Sequence, residues 1–173
     1  MTTDNKPIDR VEEEKARYYA NFKSGASWFF WLGAISLVNM IMQYKSKSES
    51  PIRFAVGFSV IKWLETNPVT FIKNVSPRVI AMTVGVLYVV ILVGLGLLAR
   101  RRNKPAYLVG TILYALDIIP GVLLSDMYAV VFHLIVIGFL IWGFVNLLKL
   151  EKLEAEYPDP VEPEVIVIGP DKE

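Results

Sequence analysis

Two ionisable residues lie inside sequence that is otherwise hydrocarbon-like. Asp117 sits in PAYLVGTILYALDIIPGVLL, and His133 sits in YAVVFHLIVIGFLIWGFVNLL. A carboxyl group and an imidazole are side chains suited to sharing or passing a proton. A lone carboxylate in a bilayer is costly, so Asp117 is expected to be neutral, paired or hydrated.

Spacing makes these two residues one feature. The two apolar runs meet at Ser125-Asp126-Met127, a turn short enough to make the helices antiparallel neighbours. Asp117 lies nine residues before Asp126, and His133 seven after it. At ~1.5 Å rise per residue they sit ~13 and ~10 Å below the turn, near the middle of a ~30 Å core. Facing each other, they would hydrogen-bond directly or through one water. Asp126 is set apart as a surface acid in the turn.

The neighbouring residues point the acid inward. Tyr107, Gly110, Tyr114, Asp117 and Gly121 form one helical stripe. The glycines permit close packing, and the two tyrosine hydroxyls are within expected reach of the acid or of a water. Pro120 removes the hydrogen bond to Leu116, so a kink is expected within a turn of Asp117. The facing stripe is Ala129, His133, Val136 or Ile137, Leu140 and Phe144.

Two chemistries suit such a pair. One is a neutral or paired contact that locks the hairpin. The other is a proton or cation site, or a contact to a buried ligand. A metal is not expected, because one His and one Asp make a poor ligand shell. The chain has no cysteine, which excludes thiol–disulfide chemistry and cysteine-ligated metals. It has no P-loop and no GxGxxG, and no cofactor is expected. An intramembrane enzyme lacks support, since no nucleophile–base set stands out.

The elements that must hold the pair are read from hydropathy. Apolar residues make up 54% of the 173, and the charges collect at the ends and in two loops. That segregation marks a membrane protein. The expected fold is an all-α membrane protein: four transmembrane helices in a compact bundle, plus one short interfacial helix. Residues 1–24 form a charged lead, in which Arg10 to Phe22 is expected to make a helix on the membrane surface. The start is polar, so no cleavable signal peptide is expected.

The membrane domain spans 25–148, with helices at about 25–43, 79–99, 105–124 and 128–148. Trp28 and Trp31 mark the interface of the first. Its Ser36, Asn39 and Gln43 share a face that should turn to other helices, either for interhelical hydrogen bonds or beside the pair. Pro51 opens an amphipathic segment at about 52–66, read as interfacial with Trp63 as anchor or, alternatively, as re-entrant. In the second span Ala81 and Gly85 favour close packing, while Gly94 and Gly96 loosen its far end. Arg100-Arg101-Arg102 stops it.

Residues 149–173 form an acidic, proline-containing tail. Lys149 to Glu154 should carry the fourth helix out of the membrane, and the remainder should be extended or disordered. Glu164 to Ile168 is β-prone and could add to a partner as a strand. With the N-terminus inside, eleven basic residues flank the inner side and six the outer, which favours cytoplasmic termini. The expected partners are the lipid bilayer and a homo-oligomer or larger membrane complex. The near-neutral charge argues against nucleic acid.

Two stretches carry a resemblance. GASWFFWLGAISLVN, and LVGTILYALDIIPGVLLSD followed by AVVFHL, resemble small four-span bacterial membrane proteins of uncharacterised function. The resemblance covers roughly Asn21 to Leu148. It implies a bacterial inner membrane and brings no activity, cofactor or catalytic residue. Two functions follow as expectations: a non-enzymatic accessory or assembly protein, or a proton- or cation-linked transport component. The second would use Asp117 and His133, with Tyr114, Asn39, Ser36 and Tyr107 in support.

Overall fold

The computed structural model describes residues 8–45 and 76–158. The lead before residue 8, the segment at 52–66 with Trp63, and the Glu164 to Ile168 run lie outside them. So do the side chains of Gln43 and Ala81.

The described residues form helices, with no strand among them, and short turns join those that follow Pro77. Helix α1 covers Ile8–Lys45 and α2 covers Pro77–Arg100. Helix α3 covers Lys104–Leu116, α4 Ile118–Leu123 and α5 Met127–Glu156. Among the described residues four units are long and apolar enough to cross a membrane: α1, α2, α3 with α4, and α5. They pack into an all-α membrane bundle with alternating direction.

Pairwise contacts give the antiparallel register. Trp28 stacks on Phe139 and Asn21 Nδ2 donates to Asn146 Oδ1 at 3.2 Å, which sets α1 against α5. Gly33 abuts Val93 and Gly96 abuts Phe29, which sets α1 against α2. Tyr88 of α2 reaches Leu113 of α3, and Lys104 of α3 reaches Glu151 of α5. The ring of helices therefore runs α1, α2, α3–α4, α5 and back to α1.

Aromatic residues fill its centre. Tyr107 is fully buried, edge-on to Phe29 at 5.5 Å and beside Phe22 and Phe144. The outer faces of α2, α3 and α5 are aliphatic: Leu87, Val90, Leu108, Ile112, Leu134 and Ile141 are exposed. Exposed aliphatic faces around a buried centre are what a lipid solvent permits.

One close approach requires glycine. A Cβ on Gly25 would lie 2.5 Å from Gly143 Cα and 2.8 Å from Tyr107 Oη. No side chain fits there, so α1 and α5 touch backbone to backbone with the Tyr107 hydroxyl beside them.

Three expectations are corrected. The lead does not lie on the membrane surface as a separate helix: α1 runs unbroken from Ile8 through the span. Its early turns bury Val11, Lys15 and Phe22, so the stripe that faces the bundle begins well before Gly25. A helix of 38 residues is ~57 Å long, nearly twice the hydrocarbon thickness. Its first turns therefore run beside the extension of α5, where Leu150 and Leu153 are buried. Gly96, in turn, does not loosen α2. A Cβ there would meet Phe29 Cβ at 2.6 Å, so Gly96 is a notch for Phe29. The third correction, at Tyr107, is described with the site below.

Helix α5, the fourth span, continues past Lys149 to Glu156, as its sequence indicates. At this charged end Arg102 Nη1 lies 2.9 and 2.8 Å from the Glu154 carboxylate oxygens, and Lys104 Nζ lies 2.7 Å from Glu151.

The buried Asp117–His133 pair

Backbone chemistry prepares the site. Pro120 has no N–H to give the Leu116 carbonyl, and the helix breaks at Asp117, between α3 and α4. Asp117 N–H bonds the Tyr114 carbonyl at 3.2 Å, three residues back. The Leu113 carbonyl, which a regular helix would satisfy from Asp117, is left over. Tyr88 Oη donates to it at 2.9 Å. Sequence reasoning missed Tyr88, although it is the lone tyrosine in an otherwise aliphatic span.

The far side is set by two caps at the turn. Ser125 adopts the left-handed conformation, φ 55°, and ends α4. Asp126 Oδ1 then accepts from Ala129 N–H at 3.2 Å and opens α5. Asp126, read from its position as an acid of the turn, is the N-cap of α5. His133 follows two turns on, facing Asp117.

His133 Nε2 lies 3.0 Å from Asp117 Oδ2, and each side chain is 1% accessible. The contact is direct. His133 Nδ1 lies 2.7 Å from the Ala129 carbonyl. A carbonyl only accepts, so Nδ1 carries a proton and donates it. Nε2 and Oδ2 then hold one further proton between them. Either imidazolium donates to carboxylate, or the carboxylic acid donates to neutral imidazole. Both arrangements are neutral overall, which suits an apolar interior. Removing the shared proton would turn a lone pair toward a carboxylate.

The supporting tyrosines act differently from expectation. Tyr107 does not offer its hydroxyl to the acid: Oη donates to the Leu140 carbonyl at 3.0 Å, two turns toward the charged end. The reason is the Gly25–Gly143 contact, which leaves a slot for that hydroxyl. Tyr114 lies at the pair but presents its ring face. It stacks on His133 with centroids 4.8 Å apart and planes 12° apart. Phe132 closes the imidazole edge-on at 6.3 Å. An aromatic ring on one face of an imidazole fixes its orientation and excludes water.

Ser36 and Asn39 are buried, at 1% and 2% exposure. Carrying the α1–α5 register from Trp28–Phe139 along α1 puts Ser36 within about a turn of the level of His133. Ser36 Oγ and Tyr114 Oη have no hydrogen-bond partner among the described residues. The inward face of Ser36 and Asn39 is as its spacing indicated. Among the described residues no three His, Asp or Glu side chains gather as metal ligands would.

No family model, no curated protein and no solved structure matches this chain. Its reading rests on its own residues.

Proposed function

We propose that this small multi-pass membrane protein is a non-enzymatic accessory or assembly protein, and that Asp117–His133 is an internal lock. The observation that carries the lock is the direct 3.0 Å contact between side chains that are each 1% accessible. A conducting site requires a route to water, and each side chain of this pair is 1% accessible, with Tyr114 and Phe132 against the imidazole. The lock fixes α5 against the broken α3–α4 unit. It leaves the outer faces and the charged end to meet lipid and partners, in a homo-oligomer or a larger complex. A bacterial inner membrane with both termini in the cytoplasm suits the basic residues at the charged end.

One observation favours the second reading, a proton- or cation-linked transport component. The buried hydroxyls of Ser36 and Tyr114 lack partners and lie near the level of the pair. Proton flux into liposomes loaded with a pH-sensitive dye separates the two. The lock predicts no protein-dependent flux from the parent and none from Asp117→Asn. A flux that the parent supports and Asp117→Asn abolishes would establish transport.

A further inference from the structure

Tyr107 and Tyr114 stand one heptad apart on the same face of α3, and their hydroxyls end differently. Tyr107 Oη enters the slot between Gly25 and Gly143 and donates to the Leu140 carbonyl. Seven residues along each helix, side chains stand in place of that slot. Leu32 corresponds to Gly25 and Val136 to Gly143, and both are fully buried. The Tyr114 ring stacks on His133 instead. Its hydroxyl is buried, with no hydrogen-bond partner among the described residues. Ser36 Oγ is in the same condition. It does not bond the Leu32 carbonyl four residues back, a common partner for a serine within a helix.

The register brings these two hydroxyls toward one another. Tyr107 Oη meets α1 at Gly25, 2.8 Å from where a Cβ would stand. The same reach from Tyr114, a heptad on, meets α1 near Leu32. Ser36 is one turn further, ~5.4 Å along the axis. Helices α1 and α3 run in the same direction, and side chains lean toward a helix N-terminus. Ser36 therefore leans back toward the level of the Tyr114 hydroxyl. A separation of this order exceeds one O–H···O bond and matches two in series, about 5.5 Å.

We propose that one water molecule is held between Ser36 Oγ and Tyr114 Oη, tying α1 to α3 across the bundle. Water is the ligand that fits this place. Each hydroxyl both donates and accepts, and an enclosed water requires two to four buried polar partners. The neighbouring acid–base pair is neutral overall, so nothing there selects a cation. The site rests on hydroxyls outside the Asp117–His133 contact and stands whether that pair locks or conducts.

The test is water-edited solid-state NMR of the full-length protein, 13C-labelled at tyrosine and histidine, in lipid bilayers. Polarisation starts on water protons and is read on the tyrosine ring carbons. Contact with the single histidine identifies the Tyr114 ring without any substitution. Tyr107, equally buried but bonded to a carbonyl, is the internal control. Tyr114 should receive water polarisation about threefold faster than Tyr107, or more. Ser36→Ala should bring it down to the level of Tyr107. In mixed micelles Ser36→Ala and Tyr114→Phe, which keeps the ring on His133, should each lower the folded-to-unfolded ratio by about tenfold. The double variant should lose no more than either one, because it leaves no hydroxyl stranded.

Equal transfer to Tyr114 and Tyr107 would overturn the proposal, and that measurement needs no variant to fold. So would additive losses, which would give the two hydroxyls separate partners. A gain in stability from each single substitution would also overturn it, since a hydroxyl with no partner is better removed. Fast transfer to Tyr114 with no proton flux supports both the water and the lock. Fast transfer with a flux keeps the water and removes the lock, and equal transfer with no flux does the reverse.

Discussion

The hairpin of α3–α4 against α5 is fastened by acid–base pairs in two different settings. Near its middle, Asp117 and His133 meet at 3.0 Å with each side chain 1% accessible. At the charged end, Arg102 and Glu154 meet at 2.8 Å with side chains 39% and 35% accessible, and Lys104 meets Glu151 at 2.7 Å. The distances are alike and the energetics are not. Exposed pairs exchange one set of strong hydrogen bonds for another with water, and salt screens them. A buried pair has no such exchange, so losing either partner strands the other. The inner pair is therefore the fastening that the hairpin depends on, and the outer pairs chiefly align its mouth.

The largest effect should come from His133→Ala. It strands a buried carboxyl group and removes the ring on which Tyr114 stacks. A loss of about 3–5 kcal/mol is expected, measured as resistance to unfolding in mixed micelles. A loss under about 1 kcal/mol would erase the contrast between the two fastenings.

Gly143→Ala should follow, at about 1–3 kcal/mol, because its Cβ would overlap Tyr107 Oη and Gly25 Cα. It tests whether the inner region owes its order to packing as well as to the pair. The companion Tyr107→Phe, which clears the slot, should recover part of the loss.

Asp117→Asn should cost less, about 1 kcal/mol, because the amide can still donate to Nε2 while Nδ1 stays bonded to Ala129. It sharpens the claim that the pair's geometry matters more than its charge.

Glu154→Gln should cost least, about 0.2–1 kcal/mol, and the difference from parent should shrink as salt is raised. A salt-independent loss as large as that of His133→Ala would show the outer fastening to be the stronger one.

The sequence makes the inner pair legible because arithmetic alone places it. A three-residue turn and a fixed rise per residue put Asp117 and His133 at one level, and the glycine–tyrosine stripe gives the facing side. Partners that are backbone carbonyls were beyond that arithmetic. Tyr107 donates to Leu140 and Tyr88 to Leu113 because of a glycine contact and a helix break in three dimensions. Neither a hydropathy pattern nor a spacing encodes where a hydroxyl ends. The unbroken α1 is a different case. Charge density suggested a boundary at Ser24, but a change of solvent does not end a helix. Val11, Lys15, Phe22, Ala26 and Phe29 already trace one buried stripe across that boundary. Periodicity was the better guide there, and it also accounts for the lead's packing beside α5.

His133 is the chain's single histidine, so selective 15N-histidine labelling yields a one-site spectrum. The central claim is that its imidazole is held in an enclosed lock with Nδ1 protonated toward Ala129. Solid-state NMR of the protein in lipid bilayers, transferred into D2O, tests this directly. The account predicts an Nδ1–H signal that persists long after surface amides have exchanged, with the second proton shared across Nε2 and Asp117. Immediate loss of the ring N–H signal, or an unprotonated Nδ1, would contradict it and point to a path from water to the pair.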